Sequence, residues 1–269
     1  MGRIDRLHVL GTGHAGVLNC YNTCFAMERD GSYFLVDTGG GNGILKQLRD
    51  ASIPLERIHN IFISHEHTDH LVGLIWLIRT MRGITKRESY RGPLRIYAHP
   101  ELTEKIRIIC ELLLKPKDGE LFGDKIVLQP LKDGEKRMID GMEVTFFDIH
   151  AKKTRQFGFS AKLEDGSFVF MGDEPFSAEC RSYAQGAAWL CLEAFCRYED
   201  RDIFKPYEKS HSTVKDAAET AASLEAKNLV IWHTEDSDLA RRKENYISEA
   251  QKYFFGNVFV PDDLDVISL

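Results

Sequence analysis

Residues 61–78, IFISHEHTDHLVGLIWLI, constrain the fold more than any other stretch of the chain. A short apolar run (Ile61, Phe62, Ile63) reaches Ser64 and stops at His65-Glu66-His67-Thr68-Asp69-His70, after which an apolar, helix-like segment begins. β-Branched and aromatic content with an abrupt polar end reads as a buried strand. Three imidazoles and an aspartate crowded at its exit gain nothing from packing. As ligands they make sense, because neutral imidazole and carboxylate suit zinc, manganese or iron. His65 and His67, two apart on an extended segment, point the same way. Asp69 and His70 fall on the following turn, so one loop can feed two ions.

Further candidates stand at the ends of other apolar runs. His150 follows a strand over 142–148, and Asp173 follows 168–171 through Gly172. Glu193 closes 189–192, and His233 closes 229–232. His211-Ser212-Thr213 precedes an alanine-rich helix expected over 214–226, with Thr213 and Asp216 spaced as a capping box. Asp37 ends a strand over 33–36 beside three glycines, where a carboxylate either caps the next helix or braces the metal loop. Five strands, each ending in His, Asp or Glu, describe a site along one rim of stacked sheets.

GTGHAG at 11–16 matches the dinucleotide-binding G-x-G-x-x-G as a string. A nucleotide-binding unit needs a crossover helix after the glycines. Only VLNCYNT intervenes before a strand at 24–28, which a D-G turn at Asp30-Gly31 joins to 33–36 as a hairpin. The glycines read instead as a close backbone passage, with His14 either a substrate contact or an exposed loop residue. Arg82, Lys86, Arg87, Arg91 and Arg95 make 82–95 basic, either a solvated loop or a flap over an anionic substrate. His99, before a helix over 100–114, reads as structural.

With 43 % hydrophobic and 28 % charged residues in 269, the chain has an ordinary globular composition. A net charge of −6 argues against a broad nucleic-acid-binding face. No apolar segment follows MGRIDRL, so no secretory signal is expected. Arg6 occupies the position where a myristoylated Gly2 calls for Ser or Thr. The apolar run 71–78 is far below the roughly 20 residues of a membrane span. Six cysteines without a C-x-x-C pair read as reduced thiols of a cytoplasmic protein with no membrane contact.

The H-x-H-x-D-H pattern between strand and helix resembles the metallo-β-lactamase superfamily of binuclear metal hydrolases. The ordered set LGTG, FLVDTG, ISHEHTDH, His150 before QFGF, MGD, LEAF, SHST and the strand ending in His233 is most similar to the ribonuclease Z branch, over nearly the whole chain. The resemblance implies an α/β fold, a four-layer αβ/βα sandwich of two mixed β-sheets flanked by helices, as a single domain over 1–269. It implies two divalent ions, zinc first with manganese or iron as alternatives. His65, His67 and His150 would hold one ion and Asp69, His70 and His233 the other. Asp173 would bridge them, and Asp37 would brace the loop from behind. Glu193 and His211 would form an acid–base pair near the leaving group. The implied reaction is phosphodiester hydrolysis: a hydroxide shared by the ions and oriented by Asp69 attacks phosphorus, and His211, steered by Glu193, protonates the departing alkoxide. The substrate is expected to be a small molecule or RNA. Many tRNA-processing members carry a gripping arm between the counterparts of His150 and Asp173, and the roughly twenty residues there are too few for one. A thioester or lactone hydrolase of the same fold is the alternative, and pairing into a homodimer is common in the branch.

Overall fold

A computed structural model describes residues 6–84, 87, 90–119 and 121–269. Lys86 and residues 1–5, on which the leader and myristoylation expectations turn, lie outside these.

Two mixed seven-stranded sheets form the centre. The first contains β1 (Arg6–Gly11), β2 (Cys24–Arg29), β3 (Ser32–Val36), β4 (Ile58–Phe62), β5 (Leu94–Ala98), β6 (Ile126–Pro130) and, from the C-terminal end, β14 (Val266–Ser268), ordered 14-1-2-3-4-5-6. The second contains β7 (Glu135–Ile139), β8 (Met142–Asp148), β9 (Phe157–Leu163), β10 (Gly166–Phe170), β11 (Trp189–Glu193), β12 (Asn228–Trp232) and β13 (Asn257–Phe259), ordered 13-12-11-10-9-8-7. The D-G hairpin between β2 and β3 is present. Asp30 (φ 49°) and Gly31 (φ 72°) both take positive φ, as a tight primed turn requires.

Strands with both faces buried read as continuous apolar runs, and alternate residues serve different cores. Phe34, Val36, Phe62, Cys191, Val230 and Trp232 fill the layer between the sheets. Leu35 and Ile61 pack outward on the helices Gly43–Asp50, Gly73–Ile84 and Pro100–Leu113. Leu190, Leu229 and Ile231 pack outward on Val214–Ser223 and Leu239–Ala250. This is the expected four-layer metallo-β-lactamase sandwich.

Direction is what positions the site. β1 and β2, then β2 and β3, pair antiparallel, while β3 pairs parallel with β4, so β1, β3 and β4 all run one way. The same reasoning makes β8, β10, β11 and β12 co-directional. Their C-terminal ends meet along one rim, where Phe157 N–H donates to Ser64 O and His14 N–H to Thr234 O across the sheets.

Local expectations needed some adjustment. The helix expected to run on from residue 71 is broken into Thr68–Leu71 and Gly73–Ile84. A Cβ at Gly73 would stand 1.9 Å from Thr38 O, so only glycine lets this turn lie against the strand exit that carries Asp37. The alanine-rich helix ends at Ser223, and its capping box is formed. His99 caps its helix, accepting from Leu102 N–H. Arg87, Tyr90 and Arg95 of the basic segment lie away from the rim. Arg87 pairs with Glu56 at 2.6 Å and Tyr90 OH donates to Ile58 O, both at the strand-start end of β4 and opposite the histidines. Arg95 lies near the start of β5, which runs parallel to β4. All six cysteines are unpaired and five are buried. Among the described residues no helix is long and apolar enough to cross a membrane.

Candidate metal centre

Asp37 organises the loop from behind. At φ 55° its carboxylate turns back into the rim, where Oδ1 accepts from Ser64 N–H (2.8 Å) and Oδ2 from Ser64 Oγ (2.7 Å). Oδ2 also lies 2.8 Å from His70 Nδ1. A carboxylate only accepts, so Nδ1 of His70 carries a proton, and Nε2 is the nitrogen left to bind an ion once it gives up its own. Ser64 has spent its one hydroxyl proton on Asp37, so at 2.9 Å it accepts from Nδ1 of His65. One buried aspartate thereby sets both imidazoles with Nε2 facing inward.

The inward atoms converge. Asp173 Oδ2 lies 3.5 Å from His65 Nε2 and 3.4 Å from Nε2 of both His70 and His233. Asp69 Oδ2 lies 3.3 Å from His70 Nε2 and 3.5 Å from His233 Nε2. These separations are long for hydrogen bonds. They match the edge of a tetrahedron with metal–ligand bonds of about 2.0–2.1 Å, which is roughly 3.3–3.4 Å. Three groups result among the described residues: Asp69–His70–Asp173–His233 and His65–His67–Asp173, which share Asp173, and Glu193–His211–His233, which shares His233 with the first.

The donor set fits cations on independent grounds. His70 Nε2, Asp173 Oδ1 and both ring nitrogens of His233 are buried with no hydrogen-bond partner. Orphaned buried polar atoms cost about 1–3 kcal/mol each, and several in one place call for an ion. Electrostatics agree. Burial pushes His65 well below its ordinary pKa, leaving a neutral ligand. Burial opposes charge on His70 too, but Asp69 and Asp37 outweigh it and hold its pKa well above the ordinary value. Burial would raise Asp173, yet His65, His70 and His233 hold it well below the usual carboxylate range.

His150 is not brought into any of these groups. Its backbone is left-handed (φ 58°), its N–H is tied to Asp148 Oδ1, and its ring Nε2 lies 3.4 Å from Glu179. It stands on the correct rim with its side chain turned into a neighbouring cavity. Glu193 and His211 do meet. Oε2 and Nδ1 are 3.5 Å apart, while Oε1 accepts from Ser212 N–H at 2.6 Å. Burial lowers the pKa of His211, but Glu193 and then Asp173 reverse this and raise it. Its ring stacks on Phe195 and stands 5.2 Å from that of His233.

A cavity of about 600 Å³ exposes His67, Asp69, Asp173, His211 and His233 together. His14 lines it, from the glycine loop that is squeezed against residues 21 and 22. Burial, then His233 and His211, lower its pKa to about 4, so this imidazole is neutral. Lys153 and Lys209 also line the cavity, a cationic wall that no sequence pattern announced. Ser64 was overlooked although it adjoins the motif. Arg242, buried behind Thr234, was also missed.

Residues 6–248 match the profile of the family described as Anti-Pycsar protein Apyc1. The chain belongs to this family. It is similar to the ribonuclease Z of Thermococcus sibiricus, 26 % identical over 318 residues that cover 98 % of this chain and 96 % of the relative. Among solved structures, the metallo-β-lactamase fold protein YhfI from Bacillus subtilis matches with a TM-score of 0.78 at 17 % identity, covering 98 % and 99 % of the two chains. Human tRNase Z, short form, matches at 0.74 and 24 %, covering 98 % of each. This member of the Apyc1 family is thus a ribonuclease Z-like protein of the metallo-β-lactamase superfamily, a metal-dependent hydrolase with a buried His/Asp cluster at the rim that could hold a divalent ion.

Proposed function

We propose that the chain is a phosphodiesterase with two divalent ions, zinc first, acting on a phosphodiester without a tRNA-gripping arm. The carrying observation is the Glu193–His211 pair, whose histidine lines the same cavity as the His/Asp cluster while its glutamate is buried behind. Such a pair serves an alkoxide leaving group, which needs a proton, more than a thiolate, which does not.

His65, His67 and Asp173 would hold one ion, and Asp69, His70, Asp173 and His233 the other. His150 would complete the first by turning its ring from Glu179 toward the rim on which its backbone already stands. Divalent ions there supply Lewis-acid charge to phosphoryl oxygens and acidify water. Asp69, set against both His70 and His233, orients the attacking oxygen. His211, held against Phe195 and steered by Glu193, carries its proton at the cavity wall and delivers it to the departing oxygen. Lys153 and Lys209 add positive charge for an anionic substrate.

The test is metal analysis with three substrates: bis(p-nitrophenyl) phosphate, an S-aryl thioester and a pre-tRNA. Two zinc ions per chain and diester turnover that disappears on chelation and returns with zinc are expected. Faster turnover of the thioester than of the diester would overturn the reading.

A further inference from the structure

His14 lines the metal cavity with Asp69, Asp173, His211 and His233, and no step of the proposed hydrolysis uses it. Its main chain is fastened twice. His14 N–H donates to Thr234 O (3.1 Å), and its carbonyl accepts from Asn22 Nδ2 (2.9 Å). The ring is held as well. Gly16 N–H donates to Nδ1 at 3.0 Å. A Cβ on Gly16 would stand 3.0 Å from His14 Cε1, so the imidazole fills the place a side chain would take. It also packs on buried Phe195, with 4.4 Å between ring centroids.

One hydrogen bond fixes the chemistry of this ring. A nitrogen that accepts from a backbone N–H must offer a lone pair, so Nδ1 is bare and Nε2 carries the only proton. Among the described residues nothing bonds Nε2. A half-buried donor is thus left over at the wall of the cavity.

We propose that His14 is a catalytic residue: its Nε2–H donates to a non-bridging oxygen of the scissile phosphoryl group as charge grows there. The proton stays on His14 throughout. The proposal rests on the phosphodiesterase reading, which puts a phosphoryl group in this cavity.

Placement gives His14 a different oxygen from the one His211 serves. His211 and His14 both pack on Phe195, at 5.2 and 4.4 Å, and stand 5.2 and 6.4 Å from His233. A phosphoryl group at the His/Asp cluster therefore meets two imidazoles in different states. His211, beside Glu193, has a proton to give the leaving oxygen. His14 can only lend a hydrogen bond. A second imidazolium beside divalent ions would be repelled, whereas a neutral donor stabilises an oxygen without that cost. Held in place beforehand, it also needs no reorganisation in the transition state. Lys153 and Lys209 act at longer range, since Lys153 Nζ donates to Lys209 O and Lys209 Nζ lies over the Phe195 ring at 4.6 Å.

Two substitutions separate a donor from a space-filler. His14→Phe keeps a ring against Phe195 and removes the N–H. His14→Gln removes the ring but reaches about as far as Nε2 with an amide N–H. In the zinc-loaded protein with bis(p-nitrophenyl) phosphate, His14→Phe should lower kcat about 10²-fold with KM little changed, the lower end for a lost oxyanion donor. His14→Gln should recover most of that loss. The Rp and Sp isomers of methyl p-nitrophenyl phosphorothioate give a readout that packing does not move. Sulfur accepts weakly, so losing the donor should cost least for the isomer with sulfur against residue 14, and the ratio of the two rates should shift in His14→Phe. Calorimetry of inorganic phosphate needs no turnover, and binding should weaken roughly two- to tenfold in His14→Phe but not in His14→Gln, the size of one hydrogen bond. Wild-type kcat in His14→Phe, equal losses in both variants, an unchanged isomer ratio, or phosphate bound equally by all three proteins would overturn the proposal and leave the phosphodiesterase reading in place. If no phosphodiester is cleaved yet phosphate binding weakens in His14→Phe alone, that reading fails and the donor stands.

Discussion

Arg242 Nη1 donates to Thr234 Oγ1 across 3.0 Å, directly behind His233. The same guanidinium reaches Thr12 Oγ1, Pro261 O and Asp262 Oδ1, so one side chain, 3 % exposed, ties the glycine-loop strand, the His233 turn and the C-terminal segment together. Loss of this fork leaves buried acceptors unpaired. Arg242→Met should therefore cost about 3 kcal/mol in urea unfolding of the metal-loaded protein. Arg242→Lys should recover under half of that, since one ammonium cannot span four acceptors. A loss below about 0.5 kcal/mol, the range of an ordinary surface change, counts against the strut.

Asp37 touches no inward-facing ligand atom, yet it sets the proton positions of His65 and His70. Asp37→Ala should weaken zinc binding about 10–100-fold in chelator competition, the usual effect of removing a ligand's supporting partner. Asp37→Asn tolerates the positive φ but presents one acceptor where the carboxylate presents two, and should fall between. Wild-type affinity in Asp37→Ala would show that the loop holds its shape unaided.

Zinc affinity should rise with pH. Burial opposes the charge on His70, but Asp69 and Asp37 keep it protonated above the ordinary range in the metal-free protein. A ligand imidazole must be neutral, so loading expels that proton. Affinity therefore gains about tenfold per pH unit below the raised pKa of His70 and flattens once that pKa is passed. Calorimetry in buffers of different ionisation enthalpy counts the proton, and a count of zero removes this account.

His211→Ala should slow esters with a poor alkoxide leaving group about 10²–10⁴-fold and p-nitrophenyl esters much less. Glu193→Gln should act in the same direction more weakly. Equal slowing of both ester classes rules out the leaving-group role.

His150→Ala should remove at least about tenfold of the affinity of the more weakly held zinc, exceeding the lower bound for a supporting partner, if the ring turns inward on loading. Unchanged affinity would leave His150 with Glu179 in the loaded protein too.

Much of this molecule follows from short-range signals. Apolar runs of strand length, the Asp30-Gly31 turn and the Thr213/Asp216 cap depend on neighbours within a few residues, so they are legible in the chain itself. The clustering of ligand-type residues at strand ends is legible for the same reason. A strand has only two ends, and co-directional strands deliver their exits to one rim. The sequence by itself therefore determined which residues could gather.

What they do on arrival was decided at longer range. The ring of His150 answers to Glu179, 29 residues on. Arg87, from the basic segment, is drawn to Glu56 at the far end of β4, where charge alone gave no direction. Lys153 and Lys209 become one wall only because two separate loops are bridged. His211 borders both the metal cavity and the neighbouring one, a relation that no local pattern encodes. Side-chain direction at a loop is set by partners the chain meets only after its sheets have stacked.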